Sequence, residues 1–361
     1  MMNAPLSLRP RHRGLSTTAI VYLALVAILV IGAVLVALSG RNLFSNANIV
    51  DLLTRSSLLG FIAIGQTLVI LCRSLDLSVG YVMALSSLIA ATTMNGEVSR
   101  IPIAIATALA VAAVIGLVNG LVVTKLKVNA FIATLGMGLI IKGYLDTNYA
   151  GPAGDVPEAF QAFGFTRIGP LPLSTIVMFA VAAVGIWFLH RSRTGHHMYA
   201  VGGDAEVARM SGVRTDRTVI TAHILCALAA GVAGLLIASR FGTGSAAVYD
   251  DGYDLESIAA VVLGGTYLLG GRGGIGGTVG GVLILATLDS VFNTLSIDPF
   301  IKDVLRGVII IAAVAIYARR SLTGAPTRRR FSERPPEPDI PTQPDDTRTE
   351  AADTGPAGGR T

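Results

Sequence analysis

The sequence predicts an all-α fold, a polytopic transmembrane helical bundle, and three observations predict it. Hydrophobic residues make up 52% of the chain and charged residues only 14%, with a mean hydropathy of +0.65; a soluble domain carries about 25% charged residues. The apolar residues form continuous runs rich in Leu, Ala, Val and Ile, each near the roughly 20 residues that cross a bilayer as a helix. They lack the period-two alternation of barrel strands, and only closed helices or barrels satisfy the backbone in lipid. Finally, Lys and Arg gather in alternate connections between the runs.

About ten spans are expected. The first, near 18–39, follows Arg9, Arg11 and Arg13. Ala37-Leu38-Ser39 resembles a signal-peptide cleavage site, but the apolar core exceeds the usual 7–15 residues or so of such a peptide, so a retained helix is expected. The others fall near 53–72, 77–94, 101–123, 130–147, 168–189, 218–239, 256–270, 275–295 and 300–318. An even number puts both ends on one side. Lys125 and Lys127, then Arg191, Arg193, Arg209, Arg214 and Arg217, then Arg319, Arg320 and the run Arg328, Arg329 and Arg330, all fall on the side of the N-terminus. The positive-inside rule makes that side cytoplasmic. The acidic loop with Asp250, Asp251, Asp254 and Glu256 falls outside. Residues 321–361 are rich in Pro, Asp, Arg, Thr and Gly and have too little apolar bulk for a core, so a disordered cytoplasmic tail is expected. The chain thus divides into an N-terminal cytoplasmic segment (1–17), a membrane domain (18–320) and that tail.

An internal repeat is visible. Gly65-Gln66-Thr67, Arg73 and, after Asp76, Ser78-Val79-Gly80 match Gly264-Gly265-Thr266, Arg272 and Thr278-Val279-Gly280. The second copy lies six spans after the first, so both run the same way, as in parallel-repeat transporters. Each copy is expected to be a helix hairpin with its Arg capping the inner turn. Gly116 with Gly120, and Gly276 with Gly280, have the G-x-x-x-G spacing that lets helices approach closely in lipid.

Several chemistries are excluded. The net charge of +5 follows from cytoplasmic loops and points to no nucleic acid. Cys72 and Cys226 lie alone in apolar stretches and offer no metal or disulfide pattern. Gly271, Gly273 and Gly276 fit a dinucleotide fingerprint in spacing but follow a membrane span, not a strand. No phosphate loop, H-E-x-x-H or G-x-S-x-G occurs, so no catalytic residue and no metal is assigned. A lone His223 within a span reads as a packed, hydrogen-bonded residue.

Ionisable residues in spans carry a functional expectation. Asp51 with Arg55, and Lys142 with Asp146, are four apart and can pair on one helix face. Asp289 has no such neighbour; it is expected to face Lys302 or Arg306 across the outer turn, or to serve as a proton site. Gln66, Thr67, Asn119 and Thr266 supply polar groups near the midplane, either for a solute path or for helix-to-helix hydrogen bonds. In the loop 191–217, the stretch Gly203-Asp204-Ala205-Glu206-Val207-Ala208-Arg209-Met210-Ser211-Gly212 reads as one short helix capped by Asp204 and ended by Gly212. Ala205, Val207, Ala208 and Met210 would fill a partner's groove, with Glu206 and Arg209 at its rim.

These residues resemble a known family. Gly65 to Ile70 with Asp76-Leu77-Ser78-Val79-Gly80, Asn119-Gly120 with Lys125-Leu126-Lys127, and Phe131-Ile132-Ala133-Thr134-Leu135-Gly136 are similar to the ribose-type ABC importer permeases. So are Thr194-Gly195, Tyr199-Ala200-Val201-Gly202-Gly203, Ser211-Gly212-Val213 and the stretch from Val261 to Gly280. The resemblance covers about residues 45–318. It implies a translocator in a bacterial cytoplasmic membrane that takes up a monosaccharide or similar polyol. A second permease copy or homologue would complete the path. Two cytosolic ATPase domains would bind the ATP, this chain binding no cofactor, and a periplasmic or lipid-anchored sugar-binding protein would deliver the solute. It also implies that 203–212 is the helix that docks into the ATPase. Asp204 stands where the family commonly has Asn, and the long tail is not general. The alternatives are a branched-chain amino acid permease, an ion-coupled carrier using Asp289, and a membrane enzyme; the Tyr199 to Gly203 stretch favours the sugar group over the amino acid group.

Overall fold

A computed structural model describes residues 16–298 and, with gaps, positions as far as 311. The expected tail, most of the N-terminal segment and most of the expected tenth span lie outside the described residues. The described residues form helices α1 (Thr17–Leu38), α2 (Asn46–Leu71), α3 (Val79–Met94), α4 (Ile101–Lys125), α5 (Ala130–Asn148), α6 (Glu158–Phe165), α7 (Leu173–Arg191), α8 (Arg193–Gly203), α9 (Ala205–Met210), α10 (Thr215–Phe241), α11 (Tyr253–Leu263) and α12 (Ile275–Thr294). Among them, seven helices are long and apolar enough to cross a membrane: α1, α2, α4 with its leading turn, α5, α7, α10 and α12.

α2 is the central helix. Every residue from Ser56 to Leu71 is buried, as expected of a helix that is apolar all round. α10 and α12 pack on it, while α1, α5 and α7 expose Val30, Ile140 and Trp187 as lipid-facing helices do. The close approach of α4 to α10 runs through Gly116 and Gly120, where a Cβ would come within 2.6 Å of His223 O and 2.7 Å of Ile220 Cα. In α12 the close-packed pair is not Gly276 and Gly280 but Gly277 and Gly281, where a Cβ would meet the carbonyl of Gly264, just past α11, and that of Ala260 on α11. Gly280 faces Val21 of α1 instead.

Three expected spans differ. The stretch 168–189 begins with a two-stranded hairpin, β1 (Arg167–Ile168) and β2 (Leu171–Pro172), before α7; Pro170 and Pro172 keep their neighbours out of helix. The expected span 256–270 is only the 11-residue α11. Gly265, Gly270, Gly271 and Gly273 all have positive φ, a backbone glycine adopts without strain, so 264–274 is an irregular turn. α3 has only 16 residues, because the chain before it, 72–78, climbs into the bundle without forming helix.

The acidic segment after α10 does not simply project outward. Gly244 lies against Leu88 of α3 and pairs with Ala153 (2.9 and 3.0 Å), Tyr249 stacks on Tyr81, and the amide of Asp254 lies beside Gly80. Its partner on α3 thus shifts by eight residues, a descent of about 12 Å along the helix.

Candidate functional site: the hairpin turns and the helices that meet them

The loop 191–217 contains two helices where one was expected. α8 was not anticipated, since Thr194 to Gly203 is rich in Gly and His, poor helix formers. The expected helix 203–212 shortens to α9. Asp204 caps it as predicted: its Oδ1 accepts from the N–H groups of Glu206 (2.9 Å) and Val207 (3.1 Å). Gly212 ends it with φ +83°. Glu206 and Arg209 pair with each other at 2.6 Å. Val207 is 54% and Met210 73% exposed, whereas Ala208 is only 5% exposed. Ala208 therefore packs on its own chain, because its position on this one short helix turns it inward against the core.

α8 ties this element to the turns at 72–78 and 264–274. Gly202 sits where a Cβ would be 1.8 Å from Leu71 O and 2.4 Å from Gly271 N. The Tyr199 hydroxyl donates to Gly273 O at 2.9 Å, and the turns join each other through Gly271 N–H to Leu71 O at 3.0 Å. Arg73 closes α2 through its backbone, at φ +65°. Arg272 contributes its carbonyl, which accepts from Tyr267 N–H at 2.9 Å.

The first turn is held by buried polar groups. Asp76 Oδ1 accepts from Ser78 N–H (2.9 Å) and Ser78 Oγ (2.6 Å), and its Oδ2 faces His223 Nδ1 (3.2 Å) and Asn119 Nδ2 (3.4 Å). Asn119 also donates to Ser78 Oγ (2.9 Å), and His223 Nε2 meets Ser74 Oγ (2.9 Å). With its amide oriented to satisfy both atoms, Gln66 donates to Asp76 O (3.2 Å) and accepts from Asp76 N–H (3.3 Å). Thr134 Oγ1 accepts from Leu77 N–H at 3.0 Å. Asn119 is six residues from Lys125, about 9 Å, and His223 eight from Thr215, about 12 Å, so the network lies well inside the helix ends.

The four candidate path residues are all buried and bonded within the chain. Gln66 and Asn119 belong to this network. Thr67 Oγ1 meets Thr278 Oγ1 at 2.8 Å, joining α2 to α12, and Thr266 Oγ1 accepts from Gly274 N–H at 3.2 Å. Sequence reasoning placed Asp76 at a turn and His223 in packing but did not join them; a lone acid and a lone His in apolar stretches were the only signal.

Of the ionisable pairs, Asp51–Arg55 (2.8 Å) and Lys142–Asp146 (2.6 Å) form as expected. Asp289 lines a small pocket with Arg55, Tyr253 and Glu256. Lys302 donates to Asn293 Oδ1 instead, at 2.5 Å, and Arg306 lies outside the described residues.

Seven described helices of spanning length, with the short helix α8 set against the turns at 72–78 and 264–274, define a multi-pass helical membrane protein. A family model described as the branched-chain amino acid transport system permease component matches residues 48–314, and the chain belongs to that family of ABC importer permeases. Its curated relatives include the ribose import permease of Escherichia coli K12, 38% identical over 298 residues, covering 81% of this chain and 92% of the relative. The ribose import permease of Bacillus subtilis is 36% identical, covering 80% and 90%. The galactose/methyl galactoside import permease of Haemophilus influenzae is 34% identical, covering 74% and 85%. No solved structure matches.

Proposed function

We propose that this chain is the translocating subunit of an importer for a monosaccharide or a similar polyol. A second permease copy, two cytosolic ATPase domains and an external sugar-binding protein complete it, with both termini of this chain on the ATPase side. The relatives named for ribose and galactose favour a sugar over an amino acid. The observation that carries the mechanism is α9: a capped helix with Val207 and Met210 exposed, braced through α8 against both hairpin turns. ATP-driven movement of a partner seated on α9 reaches the turns through Gly202 and Tyr199. Gln66, Thr67, Asn119 and Thr266 enter this reading as residues that hold the hairpins beside the path. A solute contact at any of them requires its present bond to open.

The test uses Val207→Asp and Met210→Asp, because both side chains are exposed and the fold should tolerate them within about 0.5 kcal/mol. Co-purification with the ATPase and uptake of radiolabelled ribose or galactose should be lost, while the purified permease keeps its thermal stability. Normal co-purification and uptake in both variants would remove α9 as the coupling element. Uptake of leucine but neither sugar by the unsubstituted complex would overturn the choice of solute.

A further inference from the structure

The segment from Gly242 to Asp254 descends along α3, and it meets a polar cluster on α5 that the reading above leaves unused. Lys142 Nζ lies 2.6 Å from Asp146 Oδ2 and 3.2 Å from Tyr249 OH, and the Tyr249 hydroxyl donates to Asp146 Oδ1 at 2.5 Å. The ammonium also sits 4.8 Å from the centre of the Tyr249 ring. That ring stacks on Tyr81 with centroids 5.4 Å apart, and Tyr81 in turn rests on Gly138 of α5. Lys142 is six residues from the end of α5 at Asn148, about 9 Å inside it.

This cluster is not sealed in protein. The side chains of Lys142 and Asp146 are 37% and 46% exposed, and Ala247, Asp250 and Asp251 beside them are exposed. Non-helical backbone at membrane depth persists only where protein buries it or where it lines water. Ionisable side chains in spans likewise face the bundle interior or an aqueous cavity. In the single chain, a half-exposed ion pair beside irregular backbone fits the water-lining case.

We propose that Tyr81, Lys142, Asp146 and Tyr249 form a binding station for a neutral polyhydroxylated solute in the water-filled part of the path; this rests on the importer reading above. The ammonium, carboxylate and phenol offer donors and acceptors to hydroxyl groups, and the tyrosine pair offers a flat face to sugar C–H bonds. Asp250, Asp251 and Asp254 nearby repel sugar acids and phosphates, which leaves neutral sugars as the class that fits.

The test places single cysteines at Ala247 and Asp250, with Ile140→Cys on the 68% exposed apolar face of α5 as the lipid-facing control. The native Cys72 and Cys226 are buried and give a low background. In the assembled complex, a water-soluble maleimide should label Ala247→Cys and Asp250→Cys about a hundredfold faster than Ile140→Cys, the ratio set by the cost of a charged thiolate in hydrocarbon. Ribose or galactose in excess should slow that labelling, and gluconate should not. Labelling as slow as the control overturns the proposal, as does fast labelling that neither sugar slows. If the unsubstituted complex imports sugar while labelling goes unprotected, the station is wrong and the importer reading stands.

Discussion

The two hairpin turns that α8 touches are built on opposite principles. The first, 72–78, is held by side chains: Asp76 gathers Ser78, Asn119 and His223, and Gln66 clasps the Asp76 backbone. The second, 264–274, is held by backbone proximity. Its flanking helices approach through Gly277 and Gly281, and its own course needs four glycines of positive φ. A turn fixed by directional bonds from four helices has one arrangement that satisfies them all. A glycine turn presents few side chains and keeps its place by shape. The first is therefore fixed by directional bonds, and the second by close backbone packing.

The largest effect should come from the first turn. Asp76→Ala leaves the buried His223 Nδ1 and the Ser78 N–H and hydroxyl without the acceptor they share, and each buried polar group left unsatisfied costs about 1–3 kcal/mol. Thermal unfolding of the purified permease in detergent should show a clear loss, with Asp76→Asn intermediate because it keeps an oxygen for Ser78. Equal stability of Asp76→Ala and the parent would erase the contrast. Next comes the second turn: Gly277→Ala should lose about 1–3 kcal/mol through overpacking. Gly276→Ala, whose nearest neighbour is Ile186 Cδ1 at 3.9 Å, should lose almost nothing; reversed values would mean that α12 packs on its other face. The smallest effect belongs to the bond between α2 and α12. Thr67→Val removes the contact with Thr278 and should cost about 0.6–1.7 kcal/mol, the usual range for such bonds in a membrane. A larger loss would show that the two turns depend on each other more than their separate constructions imply.

Much of this was legible in sequence. The spans with long apolar runs, the pairs Asp51–Arg55 and Lys142–Asp146, the cap at Asp204 and the stop at Gly212 follow from local spacing, and local spacing is what a sequence displays. The partner choices were not legible. Asp76 and His223 are 147 positions apart, and nothing local distinguishes Gly277 from Gly276 as the residue facing α11. The inward aspect of Ala208 depends on where α9 lands, so a groove-facing role could be read for it as easily as for Val207. The descent of 242–254 escaped for a different reason: hydropathy tells a charged segment from an apolar one but not the depth at which water reaches it.

The bracing by α8 also bears on how such permeases can be recombined. With Gly202 seated between the backbones of Leu71 and Gly271, and Tyr199 anchored on Gly273, the portion that would dock a partner cannot be exchanged alone. A graft of residues 191–217 from a relative with a bulkier residue at 202 would collide with two turns that are distant in sequence. The unit that can be transplanted between permeases is the α8–α9 pair with both turns, three pieces of chain inherited as one part.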